Sequence, residues 1–250
     1  MIWIIGSYVF ILGTVFTSFL TLLGMRLPEG RTLFGRSECD ACGKTIPWYG
    51  LIPIVGYLFV KGKCPYCGGK VSLIYPLYEL LNGLIFAGGY LYLQDNVIEY
   101  IIMMLFVMLM TTVTVSDAKH QLVPDKVLLV FGPPIIILRL LFPLTTPLYA
   151  LLGGVLGFLF MWFLAWYGKK RFKQDALGGG DIKLYVIIGV VLEIHLVFLS
   201  LFFAALFGLI VGKALMKKMN PIPFVPFIYI GSLIAYVFGP RLLELYLGLL

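Results

Sequence analysis

Residues 182–216 read IKLYVIIGVVLEIHL in their first part, 182–196, and VFLSLFFAALFGLIVGKALM in their second, 197–216. Such long apolar runs are typical of helices that cross a bilayer, because about 20 apolar residues span its hydrocarbon core. The second run has that length, whereas the first is short and is expected to be tilted or to begin below the membrane surface. This stretch therefore predicts two consecutive transmembrane helices.

The rest of the chain has the same apolar character. Of its 250 residues, 61% are hydrophobic and 12% are charged, and the mean hydropathy is +1.01, whereas soluble domains carry about 25% charged residues. Six further apolar runs lie near 2–24, 76–93, 98–116, 127–142, 148–167 and 222–238. We predict an all-α integral membrane protein with about eight transmembrane helices.

The net charge of +7 comes from basic residues that cluster in short loops between the apolar runs. This clustering indicates positively charged cytoplasmic loops, and no basic groove interleaved with aromatic residues points to a nucleic-acid partner. If the N-terminus is outside and successive helices alternate in direction, only Arg139 and Arg241 among the Lys and Arg residues lie away from the predicted cytoplasmic segments and their flanks. The first run has its positive charges after it, so we expect a retained helix rather than a secretory signal. The prediction is a plasma-membrane protein with both termini outside.

Four cysteines mark the one sizeable polar segment, residues 25–75. They form two C-x-x-C pairs, Cys39 with Cys42 and Cys64 with Cys67, each followed by a glycine that allows a tight turn. The spacing is typical of zinc ribbons, and four protein ligands leave no open position, so we predict a structural zinc. Two disulfides or free thiols are the alternatives, and a cytoplasmic location disfavours lasting disulfides.

These features predict three segments: a first helix at 1–24, a cytoplasmic four-cysteine domain at 25–75, and a membrane bundle at 76–250. A unit of about fifty residues builds little hydrophobic core, so a metal or disulfides would be needed to hold it.

Two aspartates at the ends of apolar runs are candidate functional residues. Asp117 ends the third run, and Asp181 opens the sixth directly after the glycines Gly178, Gly179 and Gly180. Ionisable groups at membrane depth are costly, so they suggest a function. The glycines permit unusual backbone geometry and close approach of another chain, although Asp181 could simply cap its helix. Two facing carboxylates can share a proton and act as base and acid in peptide hydrolysis.

Several blocks of the chain together resemble the type IV prepilin peptidases. Residues 179–183, Gly-Gly-Asp-Ile-Lys, resemble the GxGD signature with Gly178 as its first glycine, and 117–125 resembles the family's other aspartate block. The cysteine loop is similar too, through Trp-Tyr at 48–49, Ile-Pro at 52–53, and Tyr-Pro-Leu-Tyr-Glu-Leu at 75–80.

The resemblance implies an intramembrane aspartyl endopeptidase. Its catalytic pair maps to Asp117 and Asp181, whereas Asp125 matches an acidic position without that role. The implied substrates are prepilins or pseudopilins, cleaved on the cytoplasmic side after the glycine that ends a short basic leader. Many family members then N-methylate the new terminus with S-adenosylmethionine.

Two departures from the family pattern leave methylation open. Residues 17–21 read TSFLT where the family often has GSFLN, and Ile74 stands where an arginine is usual. The short cysteine loop is more similar to competence-type and Gram-positive members.

Further polar residues have weaker assignments. Lys183 could hold Asp181 ionised and border the approach of substrate, or it could snorkel to the membrane surface. Glu79 could bind substrate or cofactor, or belong only to a helix end.

Two other functions fit parts of the sequence. A transporter could use paired carboxylates, but the chain shows no repeat of helices. An assembly protein could use the cysteine loop to dock partners, but this leaves the Gly-Gly-Gly-Asp motif unexplained.

Overall fold

The structure, a computed structural model, describes residues 2–32, 35–39, 41–173, 177–215 and 222–248. Regular structure within these ranges is helical, apart from two isolated β-bridges, Glu38 with Thr45 and Lys63 with Lys70. A short 3₁₀ turn lies at Trp48–Leu51, and the helices are α1 (Ile2–Arg26), α2 (Val55–Phe59), α3 (Ile74–Tyr92), α4 (Val97–His120), α5 (Asp125–Leu141), α6 (Pro147–Phe172), α7 (Gly179–Leu215) and α8 (Val225–Leu247).

The all-helical membrane fold is confirmed. Each of the eight predicted apolar runs corresponds, in its described part, to helical structure, although the runs 76–93, 127–142 and 222–238 extend one to three residues beyond α3, α5 and α8. Five helical stretches are long and apolar enough to cross a membrane: Ile2–Arg26, Val97–His120, Pro147–Arg171, Gly179–Gly212 and Val225–Leu245.

The chain divides into two compact units, residues 1–112 and 113–250, with the boundary inside α4. The first unit contains the whole predicted cysteine domain, and the second contains both candidate aspartates. The three-segment division expected from sequence stays a prediction.

In the first unit, α1 and α3 approach closely through small residues. A Cβ added at Gly83 would lie 2.7 Å from Thr14 Cγ2, and one at Gly13 would lie 3.0 Å from Phe86 Cβ. Small residues let helix backbones come together where packing rather than water exclusion drives association. Next to Gly83 on α3, the Asn82 side-chain amide donates to the Thr111 hydroxyl of α4 at 2.8 Å.

In the second unit, α7 is broken at Glu193. At 37 residues a straight α7 would be about 55 Å long, well beyond the hydrocarbon core of a bilayer. Glu193 has a non-helical backbone with φ 57° and ψ 176°, and its carboxylate accepts from the Leu144 N–H at 2.7 Å. We call residues 179–192 the first arm of α7 and residues 194–215 its second arm.

The two arms of α7 fold back on one another. A Cβ at Gly157 of α6 would lie 2.9 Å from the Tyr185 carbonyl oxygen and 3.2 Å from Val197 Cγ2, so both arms reach the same level of α6. The predicted pair of consecutive helices is therefore present, while the crossing of the membrane by each arm stays a prediction. The division lies at Glu193 instead of between 196 and 197, because the α5–α6 turn holds the Glu193 carboxylate.

Helix α8 runs antiparallel to the second arm of α7. A Cβ at Gly208 would lie 3.3 Å from Phe224 near the start of α8, whereas one at Gly239 would lie 2.7 Å from Leu196 at the opposite end. This packing brings the start of α8 to the end of the bundle from which the first arm of α7 begins.

Candidate active site and metal centre

Asp117 lies in the last turn of α4 and is buried. Its Oδ2 accepts a hydrogen bond from the Val225 N–H at 2.9 Å, and the Phe224 N–H also donates to the carboxylate. The first N–H groups of a helix have no partner within the helix, so the beginning of α8 can hold an acidic side chain from elsewhere. The tertiary fold thereby fixes the carboxylate at the α8 N-terminus.

Asp181 lies in the first turn of α7 and is also buried. Its N–H donates to the Gly178 carbonyl oxygen at 3.1 Å, and the Gly178 N–H donates back to the Asp181 carboxylate. The Asp181 carboxylate thus caps the start of its own helix, which is one half of a capping box, since Gly178 has no side chain to complete the motif. The cap and a chemical role are compatible, since the carboxylate also faces the cavity that contains Asp117.

The two aspartates line one cavity of about 500 Å³, and the charge of Asp117 acts on the Asp181 carboxyl group. The cavity walls come from the end of α4, the loop before α5, the start of α7 and the segment before α8. The lining residues are Asp117, Gln121, Leu122, Val123, Asp125, Leu177, Gly178, Gly179, Gly180, Asp181, Lys183, Ile222, Pro223 and Phe224. The structure therefore brings together both predicted acids and all four residues of the predicted approach loop.

The three glycines before Asp181 have different surroundings. A Cβ at Gly180 would lie 2.5 Å from Val123 Cβ, whereas one at Gly179 would meet nothing within 4 Å. At Gly178 the nearest atom would be Asp181 Oδ2 at 3.5 Å. None of the three has positive φ, so the expected unusual backbone geometry is wrong for this stretch. Gly180 thus allows Val123 to approach the backbone closely, as expected. Gly178 and Gly179 instead leave open space beside the Asp181 carboxylate.

Lys183 forms a salt bridge with Asp125 rather than the expected one with Asp181. Lys183 Nζ lies 2.8 Å from Asp125 Oδ1, and the two side chains are 56% and 64% exposed. The pair joins the first turn of α5 to the first arm of α7 at the rim of the cavity. Asp125 thus has a partner of its own and differs from the two buried aspartates.

A second, more apolar groove adjoins the cavity. It has a volume of about 490 Å³ and lies between α5 and the first arm of α7. Asp125 and Lys183 line both spaces, so the ion pair stands where they meet. The remaining groove residues are Leu128, Leu129, Gly132, Pro133, Ile136, Val186 and Ile187.

In the first unit, the four cysteines form two matching turns. The Gly43 N–H donates to the Cys39 carbonyl oxygen at 2.8 Å, and the Gly68 N–H donates to that of Cys64 at 2.9 Å. Both glycines have positive φ, 68° and 70°. A Cβ is disfavoured in this conformation, so the predicted reason for a glycine after each pair is confirmed.

The cysteine sulfur atoms fit a metal ion. All four Sγ atoms lie within 4.8 Å of one another, with Cys39 to Cys67 at 3.8 Å and Cys42 to Cys64 at 4.0 Å. These separations exceed the S–S bond length of about 2.05 Å. A tetrahedral ion with metal–sulfur bonds of about 2.3 Å places its sulfurs about 3.8 Å apart. The four cysteines could therefore bind a metal ion.

Electrostatics at the cysteine cluster also suits a cation. The Cys67 and Tyr66 N–H groups lower the pKa of the Cys64 thiol to about 6. The pKa of the Cys67 thiol is raised to about 11: the Gly69 N–H lowers it, but the Cys42 thiol, burial and the other two thiols together raise it by more. Four crowded thiolates oppose one another, and a divalent cation that binds them relieves this repulsion while releasing protons.

The sequence did not reveal the role of the α8 N-terminus, whose Phe224 and Val225 amides hold Asp117. Pro226 in the first turn of α8 was the available signal, because proline is favoured where a helix begins. Nothing in the sequence indicated that the amides would face a residue more than a hundred positions away.

A helical membrane protein with two buried carboxylates in one cavity belongs to the class of candidate intramembrane aspartyl proteases. Two family models match the chain: the bacterial peptidase A24 N-terminal domain at residues 11–93 and the type IV leader peptidase family at residues 103–213. The chain belongs to the type IV leader peptidase family, as its sequence motifs had suggested.

Three curated relatives share the description prepilin leader peptidase/N-methyltransferase. The one from Bacillus subtilis is 34% identical over 247 residues, which cover 96% of this chain and 97% of the relative. The one from Klebsiella pneumoniae is 35% identical over 196 residues, or 74% and 83% of the two chains. The one from Pseudomonas aeruginosa is 30% identical over 272 residues, or 95% and 91%. No solved structure matches the chain.

Proposed function

We propose that this protein removes the leader peptide of prepilins or pseudopilins, with Asp117 and Asp181 as its catalytic pair. The observation that carries the proposal is the cavity shared by these two buried carboxylates. The names of the relatives indicate the same substrates.

The two carboxylates can hydrolyse a peptide bond without a metal or a covalent intermediate. Like charges close together share one proton, so one group acts as a base and the other as an acid. The base takes a proton from water, and the water oxygen attacks the scissile carbonyl carbon. The acid then protonates the amide nitrogen as the C–N bond breaks, and the products are a carboxylic acid and an amine.

The surroundings of the pair suit a substrate with a polar and an apolar part. The open space beside Gly178 and Gly179 admits an extended peptide backbone next to Asp181. The groove along α5 is apolar and begins at the rim of the cavity, so it can accept the apolar segment that follows the scissile bond. Lys183 and Asp125 border this passage.

The cysteine cluster is proposed to hold a structural zinc ion. Cys39, Cys42, Cys64 and Cys67 would supply all four ligands, so zinc would stabilise the small domain and leave the chemistry to the aspartates. The charge distribution supports a cytoplasmic cysteine domain and outside termini. Methylation with S-adenosylmethionine is proposed as a second activity on the names of the relatives.

The experiment uses the purified protein in detergent and a peptide with a basic leader, a glycine and an apolar segment. Mass spectrometry should find a single cut after the glycine, and a matched peptide with the glycine replaced by valine should stay intact. An intact glycine peptide with wild-type protein would overturn the proposal. Adding S-adenosylmethionine with a labelled methyl group tests the second activity separately, because its failure leaves the cleavage result unaffected.

A further inference from the structure

Residues 48–59 of the first unit carry a concentration of exposed apolar side chains outside the long helices. This segment, which we call the interfacial segment, contains the 3₁₀ turn and α2. Its most exposed members are Trp48 at 71%, Leu58 at 67% and Phe59 at 68%. Tyr49, Leu51, Ile52 and Val55 are exposed as well. Apolar side chains on one short segment in such number indicate a surface that is covered by something.

The interfacial segment is compact rather than extended. A Cβ at Gly56 would lie 2.7 Å from the Gly50 carbonyl group and 2.8 Å from the Tyr49 oxygen, so the 3₁₀ turn and α2 pack backbone against backbone. The Gly56 N–H donates to the Ile52 carbonyl oxygen at 2.7 Å. The exposed apolar side chains are therefore presented by a packed element.

Glu79 ties this element to the membrane helices. The Ile54 N–H donates to Glu79 Oε2 at 2.7 Å, and the Ser18 hydroxyl of α1 also donates to this carboxylate. Ile54 has φ 61°, which is rare for a β-branched residue and persists only where its surroundings hold it. The buried Glu79 carboxylate supplies that constraint.

The same contacts fix the depth of the segment along the helices. Ser18 lies eight residues before Arg26, where α1 ends, and at 1.5 Å per residue it lies about 12 Å inside that helix end. Glu79 lies about 7.5 Å inside the beginning of α3 at Ile74. Ile54 is thus held near the end of α1, a helix long and apolar enough to cross a membrane. A helix end of this kind is expected at the level of the headgroups and the adjoining hydrocarbon.

We propose that the interfacial segment lies in the membrane interface and that its exposed apolar side chains contact lipid. Trp and Tyr favour this zone because one end of each side chain is apolar and the other is polar. Exposed Lys61 and Lys63 follow the segment directly, and their charges complement anionic headgroups. Phe16 and Phe19 of α1, on either side of Ser18, are exposed as well, so α1 also presents apolar surface near this segment. The four-cysteine domain is thereby held against its own membrane.

Depth-dependent fluorescence quenching tests this placement in the full chain. Replacing Trp3, Trp162 and Trp166 with Phe leaves Trp48 as the sole tryptophan, and the protein is reconstituted into phosphatidylcholine and phosphatidylglycerol vesicles. Lipids brominated near the carboxyl end of their chains should quench Trp48 more strongly than lipids brominated near the methyl end. Aqueous iodide should quench it several-fold less than a freely exposed tryptophan.

The matched control is Tyr66→Trp with all four native tryptophans replaced by Phe. Tyr66 belongs to the second cysteine turn, is 54% exposed and lies outside the interfacial segment. A tryptophan at 66 should respond to iodide and not to brominated lipid. If Trp48 gives the same response as this control, the proposal is wrong.

A second measurement keeps the native tryptophans and does not depend on those variants folding. A photoreactive phenylalanine analogue is placed at Leu58, or at Tyr66 as the control, and the protein is irradiated in membranes. Lipid adducts should form at 58 and be scarce at 66. Adducts at 58 that contain protein instead of lipid would assign this surface to a protein partner and overturn the proposal.

Discussion

The cysteine domain and the aspartate cavity are built in opposite ways. Each cysteine pair sits in a turn closed by hydrogen bonds between residues no more than five positions apart, such as the Cys39 N–H with the Lys44 carbonyl oxygen. Asp117 instead takes its hydrogen bond from Val225, 108 positions along the chain. The first site is largely specified by short sequence signals, whereas the second exists only when the helices of its unit have packed.

The largest effect is expected at the two buried aspartates, which long-range packing brings into one cavity. Asp117→Asn and Asp181→Asn should each lower the cleavage rate of a prepilin-like substrate by at least about 100-fold, because general acid–base catalysis contributes about 10²–10⁴. Co-expression followed by a mobility shift detects the loss, and the purified variants give its size.

Asp125→Asn is the control for both aspartate variants. Its side chain is 64% exposed and paired with Lys183, so processing should continue at close to the normal rate. Normal processing by either buried-aspartate variant would contradict the proposed pair.

The next largest effect is expected on zinc binding at the four cysteines. Cys39→Ser should reduce bound zinc from about one ion per chain to a small fraction, since a hydroxyl is a poor replacement for a thiolate ligand. Elemental analysis of the purified protein measures this loss.

Ser37→Ala changes a nearby side chain outside the four-sulfur cluster and should retain the zinc. Wild-type protein without zinc but with two intact disulfides would refute the structural metal.

A smaller effect should separate two glycines of the cavity. Gly180→Ala places a methyl group 2.5 Å from Val123 Cβ, and overpacking of this kind costs about 1–3 kcal/mol. We expect a lower melting temperature and slower cleavage, whereas Gly179→Ala has free space and should leave the melting temperature unchanged. Equal melting temperatures for the two variants would show that the Gly180 contact is not essential.

The smallest effect is expected at the exposed ion pair. A double-mutant cycle with Lys183→Ala and Asp125→Ala should give a coupling free energy between zero and about 1 kcal/mol, because both side chains are more than half exposed. Thermal unfolding in low and high salt measures the coupling, which salt should weaken further. A coupling well above this range would mean that the pair acts as a structural clamp at the cavity rim.

Much of the fold and part of the candidate site could be predicted from the sequence. The apolar runs predicted helices because a bilayer requires long apolar segments whose backbone hydrogen bonds are satisfied internally. The two C-x-x-C pairs predicted clustered sulfurs, since adjacent residues can set such turns by themselves. The boundary predicted between the two helices of 182–216, at 196–197, was wrong by a few residues. The break lies at Glu193 because amides of the α5–α6 turn hold its carboxylate, which the local sequence does not show.

The sequence by itself determined which residues form long apolar helices, where the cysteine turns form and which two acids are candidates for catalysis. Only the tertiary structure decided that Asp117 is held by the α8 N-terminus, that Lys183 pairs with Asp125, and that Glu79 holds Ile54 beside the membrane helices. The physical reason is the range of each interaction. Hydropathy and turn geometry act between near neighbours in the chain, whereas a buried carboxylate bonds whichever amide or hydroxyl the packed helices bring to it.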